Sequence, residues 1–331
     1  MPGLLLMLGS RTLARETTNG TIALQNLDFQ IAQHAADPAA DELWLMRARY
    51  LADYDALDRG AAAADLPADG ADRLLRRARA RAAVHRFNDA LADLAAAERD
   101  GADAATVFRV RAAIRIAQGA ADEVIPTLEA AARREPGFTT ASALATAYAG
   151  AERYADADRE FAVALAALDT TAPFPYAWLC FARGTMWAEQ AGDAVRGSVH
   201  LERALAYLPQ FVAARLHLAE IDAHAGRTAA AERRLAPLAQ SGDPEVLALL
   251  GTLHSTADPA RGGREIAAAA DRFEMLLARQ PLAFADHAAE FYLGAGADPA
   301  RARRLAAANL AERSTRRARA LADRARNAGS R

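Results

Sequence analysis

The residues whose types and spacing suit chemistry best are His217, Glu220 and His224. On a helix turning about 100° per residue they share a stripe roughly 60° wide. Imidazole and carboxylate groups one turn apart are donors that Zn2+ or a similar ion accepts. The His-x-x-Glu phase recurs two units later as His287 and Glu290. A plainer reading competes, in which each Glu holds its His by a local hydrogen bond and the pair lines a polar face. Stacked helices lie about 8–10 Å apart, so the two pairs are expected on the order of 20 Å from each other. One ion would not reach both. A metal would fall to His217, Glu220 and His224, alone or with His254. Other chemistry is not visible. No Gly-rich loop precedes a Lys, and neither GxGxxG nor GxSxG occurs. Cys180, between Leu179 and Phe181, reads as a packed small hydrophobe rather than a nucleophile. The expectation is therefore no catalytic residue, no cofactor and no enzyme.

Helices must position these groups, because no stretch shows sustained β alternation. One small residue recurs along the chain as Ala78, Ala112, Ala145, Ala182, Ala219, Gly251 and Ala289. Around it the residue types repeat. Trp178, Phe181 and Ala182 give an aromatic, a large apolar residue and a small one. Val124, Leu128, Ala131 and Pro136 give the second half, as do Ala157, Phe161 and Ala164, and Leu201, Ala204 and Pro209. A small residue lets two helices approach, and large apolar side chains fill the groove between them. Gly119, Gly192 and Gly226 fall where first helices need a left-handed cap. Pro136, Pro209 and Pro281 close second helices.

This recurrence, close to 34 residues, resembles the tetratricopeptide repeat family over roughly residues 40–327. The resemblance implies an all-α, right-handed solenoid of about seven to eight helix-turn-helix repeats. Residues 1–19 would be a flexible N-terminus and 20–327 a single superhelical domain. Within that domain 20–36 would be a capping helix, 40–313 the repeats and 314–327 a C-terminal capping helix. The pattern departs from the family where Arg47, Arg77 and Arg111 replace a large apolar residue, and where the first helix over 176–191 is about three residues too long. The runs 171–178, 283–291 and 309–315 also look like a group of bacterial repeat proteins of undefined function, several of which carry export signals.

The resemblance further implies a scaffold that binds a peptide or protein in a concave groove lined by first helices. Mapped onto this chain, its candidates are Arg79, Arg109, Tyr176, Arg183, Trp187, Glu220, His224, Asp286 and Glu290. Arg forks suit an acidic partner or a peptide carboxylate. The alternative function is a metal- or small-ligand-binding accessory protein using His217, Glu220 and His224.

Composition sets the outer limits. The chain has 331 residues, 52% of them hydrophobic, with a formal net charge of −2. That charge gives no pull toward nucleic acid or an anionic membrane. All 40 basic residues are Arg, which with the abundant Ala points to a GC-rich genome. The Arg-rich end, from Arg301 to Arg326, lacks the interleaved aromatics of single-strand binders. No run reaches the ~18–20 apolar residues of a membrane span. One cysteine excludes an intrachain disulfide. Leu4 to Leu8 lacks a basic flank, so the expectation is a cytoplasmic protein, the alternative being export with a trimmed or missing signal.

Overall fold

The computed structural model describes residues 16–34, 37 and 40–328, and every regular element among them is helical. The expected flexible segment lies, up to residue 15, outside the described residues. Seven helix pairs follow one another. They are α4 (Ala71–Ala83) with α5 (Phe87–Arg99), α6 (Ala104–Ala117) with α7 (Ala121–Arg134), and α8 (Phe138–Gly150) with α9 (Tyr154–Ala167). Next come α10 (Pro173–Thr185) with α11 (Ala194–Tyr207) and α12 (Val212–His224) with α13 (Thr228–Leu235). The last are α14 (Pro244–His254) with α15 (Pro259–Arg279) and α16 (Ala285–Leu293) with α17 (Pro299–Glu312). Ahead of them stand α1 (Gly20–Gln33), α2 (Ala40–Leu51) and α3 (Tyr54–Gly60); behind them stands α18 (Arg316–Asn327).

The period-setting residues lie between paired helices. Ala78, Ala112, Ala145, Ala219 and Ala289 are buried. At Gly251 an added Cβ would come 2.7 Å from Ile266. Ala182 departs from the expectation. The first helix of that unit runs on into a π-helical turn, Met186–Gln190. Gly184 takes the contact instead, where a Cβ would lie 2.8 Å from Cγ of Leu201. Ala182 lines a half-open cavity.

The three irregular arginines have a physical reason. Arg77 bonds both oxygens of Asp93 at 3.0 and 2.7 Å, and Arg81 adds a bond of 2.8 Å. Asp93 is buried on α5, so an ion pair replaces an apolar contact between the paired helices. Removing one partner of such a pair costs about 3–5 kcal/mol. Arg111 pairs with Glu98 at 2.7 Å, and Arg47 pairs with Asp53 at 2.7 Å and also with Asp28.

The array curls until distant parts touch. Helix α2 is tied to α4 by Arg76, bonded to Asp41 at 2.6 Å. Its end also reaches the starts of much later first helices. The Tyr50 hydroxyl donates to the Phe174 carbonyl at 2.7 Å, and its ring lies 4.8 Å from that of Phe211. Tyr54 donates to Asp243 at 2.9 Å and meets the Phe284 ring edge-on at 5.0 Å. Helix α1, expected as a terminal cap, buries Leu24, Leu27 and Ile31 in a cluster with Leu201, Leu208 and Phe211. The first three helices therefore run along the N-terminal ends of α10, α12, α14 and α16. The other end closes as well. Ser314 N–H donates to the Gln118 carbonyl at 2.9 Å, and Gln118 Nε2 donates to the Glu312 carbonyl at 3.2 Å. Asn88 N–H donates to Glu312 at 3.1 Å. The last pair thus docks on the turns of the early pairs.

Candidate functional site

Closure forms a half-open cavity of about 790 Å³ walled by first helices and by α18. Ile116 of α6, Thr146 and Ala149 of α8, and Trp178, Phe181 and Thr185 of α10 form one wall. Asp286 and His287 of α16, Asn309 of α17, Arg313, and Arg316, Arg317 and Arg324 of α18 form the other. One wall is thus partly apolar and the other strongly charged.

Those charges are joined. His217 Nδ1 lies 2.8 Å from Glu189 and 3.0 Å from Glu220. Burial alone would push His217 down, but the two carboxylates outweigh it and raise the group to about 10. Glu189 is held down at about 2, because His217 and Arg317 outweigh its own burial. His287 Nδ1 sits 2.8 Å from Glu245, and Asp286 together with Glu245 raises it to about 10. Arg313 pairs with Asp286 and bonds Asn309 Oδ1 at 2.8 Å. Arg317 reaches Glu189 of the fourth pair at 3.1 Å and Glu290 of the seventh at 3.5 Å. Arg316 pairs with Glu152 at 2.8 Å, and Arg324 with Glu290 at 3.3 Å. Arg313, Arg316, Arg317 and Arg324 outnumber the carboxylates Glu152, Glu189 and Asp286 that line the cavity, and each of these arginines is paired within the chain.

The candidate residues separate accordingly. Tyr176 is not on the groove: it is buried, stacks on Tyr207 at 5.0 Å and bonds the Thr170 carbonyl at 3.2 Å. Arg183 grips Asp158 with two bonds of 2.6 and 2.7 Å, and Trp187 Nε1 bonds the same carboxylate at 2.7 Å. Both therefore hold Asp158 of α9. Asp286 is buried and engaged by Arg313. Glu290 is engaged by Arg317 and Arg324. Arg79 and Arg109 are exposed. Arg79 has only a long pairing of 3.8 Å to Glu42, and Arg109 bonds the Thr106 hydroxyl at 2.6 Å rather than a carboxylate.

His217, Glu220 and His224 do not converge as a ligand set. Glu220 turns its carboxylate to His217, while exposed His224 takes the Glu220 backbone carbonyl at 2.8 Å, a local contact at its helix end. His287 bonds Glu245 rather than Glu290. His254 bonds Glu265 at 2.6 Å. Among the described residues no group of three or more His, Cys, Asp or Glu side chains has the geometry to hold a metal ion. The expected separation of the two His pairs also changes, because curling lets Arg317 touch the partners of both units. Cys180 is buried, and burial pushes its thiol up to about 11, away from the thiolate a nucleophile needs.

Sequence reasoning missed His85, Glu189, Asn309, Arg313 and Arg317 as cavity residues. One signal was there for His85. It lies seven residues after Ala78, as Gly119 does after Ala112, and like that glycine it has a positive φ, +61° against +86°. A non-Gly residue in the left-handed region is uncommon and marks a position to inspect.

With the fold in view, the chain is an all-α solenoid of helix pairs similar to tetratricopeptide repeats. The family model described as tetratricopeptide repeat matches residues 188–253. The same helix-pair plan continues on both sides of that match. Similar solved structures include a tetratricopeptide repeat protein from Parabacteroides merdae, at 16% identity over 77% of this chain and 98% of that one, with a TM-score of 0.45. The APC/C hetero-tetramer Cut9–Hcn1 is similar at 17% identity, over 92% of this chain and 74% of that one, with a TM-score of 0.42. Yeast Tom70 is similar at 12% identity, over 94% and 96%, with a TM-score of 0.28. Likenesses at this level carry no functional inference. No curated protein matches the sequence.

Proposed function

We propose that this chain is a non-enzymatic interaction scaffold that takes an acidic segment of a protein or peptide along the first-helix faces of α4 and α6. One observation carries the reading. Of the candidate arginines, only Arg79 and Arg109 stay exposed without a close carboxylate. Arg109 shares a helix stripe with Ile116, seven residues on, and Ile116 lines the cavity. A guest lying over Arg109 would therefore run toward the cavity mouth. Guanidinium forks bind carboxylates through paired hydrogen bonds, and binding through exposed charge weakens as salt rises. The reading does not use the deeper charges, which are already paired within the chain. Among the described residues no helix is long and apolar enough to cross a membrane.

A fluorescent Asp/Glu-rich octapeptide tests this by anisotropy at low and physiological salt. The expectation is salt-sensitive binding that drops at least tenfold in Arg79→Glu with Arg109→Glu, and stays intact in Arg303→Glu on α17. Equal binding by both variants would sink the reading.

A further inference from the structure

The cavity is open to solvent on one side, and its charged wall carries more cations than carboxylates. Arg313, Arg316, Arg317, Arg324 and His287 line it against Glu152, Glu189 and Asp286. Each arginine already gives N–H groups to a carboxylate: Arg316 to Glu152 at 2.8 Å, Arg317 to Glu189 at 3.1 Å and Arg324 to Glu290 at 3.3 Å. A further anion would compete with those carboxylates for the edge of each guanidinium plane. The flat faces remain. The three side chains are 71%, 48% and 61% exposed, so a guest can reach them.

The chain itself stacks paired guanidiniums on rings. Arg153 bonds Asp156 at 2.8 Å while its Cζ lies 4.1 Å from the centroid of the Tyr148 ring. Arg301 pairs with Glu274 and lies 5.3 Å from the Tyr292 ring. Among the described residues no ring of the chain covers Arg316, Arg317 or Arg324 in this way. A cation is attracted to the electron-rich face of an aromatic ring, and a neutral ring leaves the existing ion pairs in place. The opposite wall suits the same guest. Ile116 of α6 and Trp178 and Phe181 of α10 line the space and are only part-buried. A ring entering between the walls covers apolar surface on one side and cations on the other.

Access comes along α6. Arg109 and Ala113 are exposed, and with Ile116 they follow one stripe of the helix. Ala113 is small, so no bulky side chain of that stripe stands between Arg109 and the cavity. At ~1.5 Å rise per residue Arg109 and Ile116 lie about 10 Å apart along the axis, a span that an extended chain covers in about three residues.

We propose that the cavity is an anchor pocket for an aromatic side chain of the guest, about three residues from the acidic residue that meets Arg109. This rests on the reading of Arg79 and Arg109 as the face for an acidic segment. The partner selected is then an acidic segment with a Phe, Tyr or Trp close by, a narrower class than acidic peptides as a whole.

The test is anisotropy of labelled peptides with the full chain at low salt. Each peptide carries a block of Asp and Glu, with Ala, Phe, cyclohexylalanine or Glu three residues from the block, on either side of it. In one of the two orders Phe should bind at least tenfold tighter than Ala, and several-fold tighter than cyclohexylalanine or Glu. A 4-nitrophenylalanine in that place should quench tryptophan fluorescence, and Trp178→Phe should remove most of the quench. Equal binding of the Phe and Ala peptides overturns the pocket and leaves the Arg79 and Arg109 face standing. Equal or tighter binding with cyclohexylalanine or Glu overturns the assignment of a ring among cations, and a quench untouched in Trp178→Phe overturns the location. A Phe gain that persists while Arg79→Glu with Arg109→Glu changes no affinity would keep the pocket and sink the acidic-segment face together with the spacing.

Discussion

Two glycine-to-alanine substitutions should move stability in opposite directions. Gly197 lies on α11, opposite the π-helical turn. An added Cβ there would stand 2.5 Å from the Ala188 Cβ and 2.9 Å from the Ala188 Cα and N. Two of those atoms are backbone and cannot swing aside. Gly263 lies on α15, where an added Cβ meets nothing within 4 Å. Both changes bring the same helix-propensity gain, about 0.8–1 kcal/mol. At Gly263 nothing opposes it, so Gly263→Ala should stabilise by about 0.5–1 kcal/mol. At Gly197 overpacking costs about 1–3 kcal/mol and more than cancels the gain. Gly197→Ala should therefore destabilise by about 1–2 kcal/mol. Urea midpoints compared at equal m-values read both effects. A stabilised Gly197→Ala protein would refute the close approach of α11 to the π-helical turn.

Protonation and the C-terminal helix give further tests. His217 and His287 have folded-state values near 10, above the ordinary 6.5 of the unfolded chain. Their contribution is complete below pH 6.5 and is lost as pH rises through 10, with a slope of at most about 1.4 kcal/mol per pH unit per group. His287 is a third exposed, so solvent screening makes its share smaller. Denaturation midpoints should fall between pH 6.5 and 10, and less steeply in His217→Gln; parallel curves would contradict the network. Arg317→Met removes the contacts to Glu189 and Glu290, and amide exchange across 316–327 should accelerate about tenfold. Unchanged exchange would show that α18 is not held by that side chain.

The repeat was legible because its physics is local. A small residue, two apolar partners and a terminating glycine or proline recur within one helix pair, so Ala78, Ala145 and Ala289 could be placed from spacing alone. The fourth unit was not: the contact expected at Ala182 falls to Gly184, and the helix runs on into a π-turn that the residue types do not announce. Arg77 was visible as an anomaly, but its answer, Asp93, lay 16 residues on across the helix pair. The site was far less legible. Which charges stay free depends on curvature, which sums small rotations over many units. Glu189 and Glu290 share Arg317 only because the array closes. His85 and Asn309 lie more than two hundred residues apart in the chain and meet for the same reason. Tyr176 fitted the first-helix pattern but lies inside, stacked on Tyr207, a partner 31 residues on that spacing within one helix does not reveal.

Disulfide trapping at the seam tests closure most directly. Ser314 N–H lies 2.9 Å from the Gln118 carbonyl oxygen, which brings the two backbones within reach of a cross-link. In Gln118→Cys with Ser314→Cys, mild oxidation should yield a monomer of faster non-reducing mobility that has lost two reactive thiols, with Cys180 buried and silent. Two thiols that stay free and reactive under the same oxidation would mean an open array, with no walled cavity between its ends.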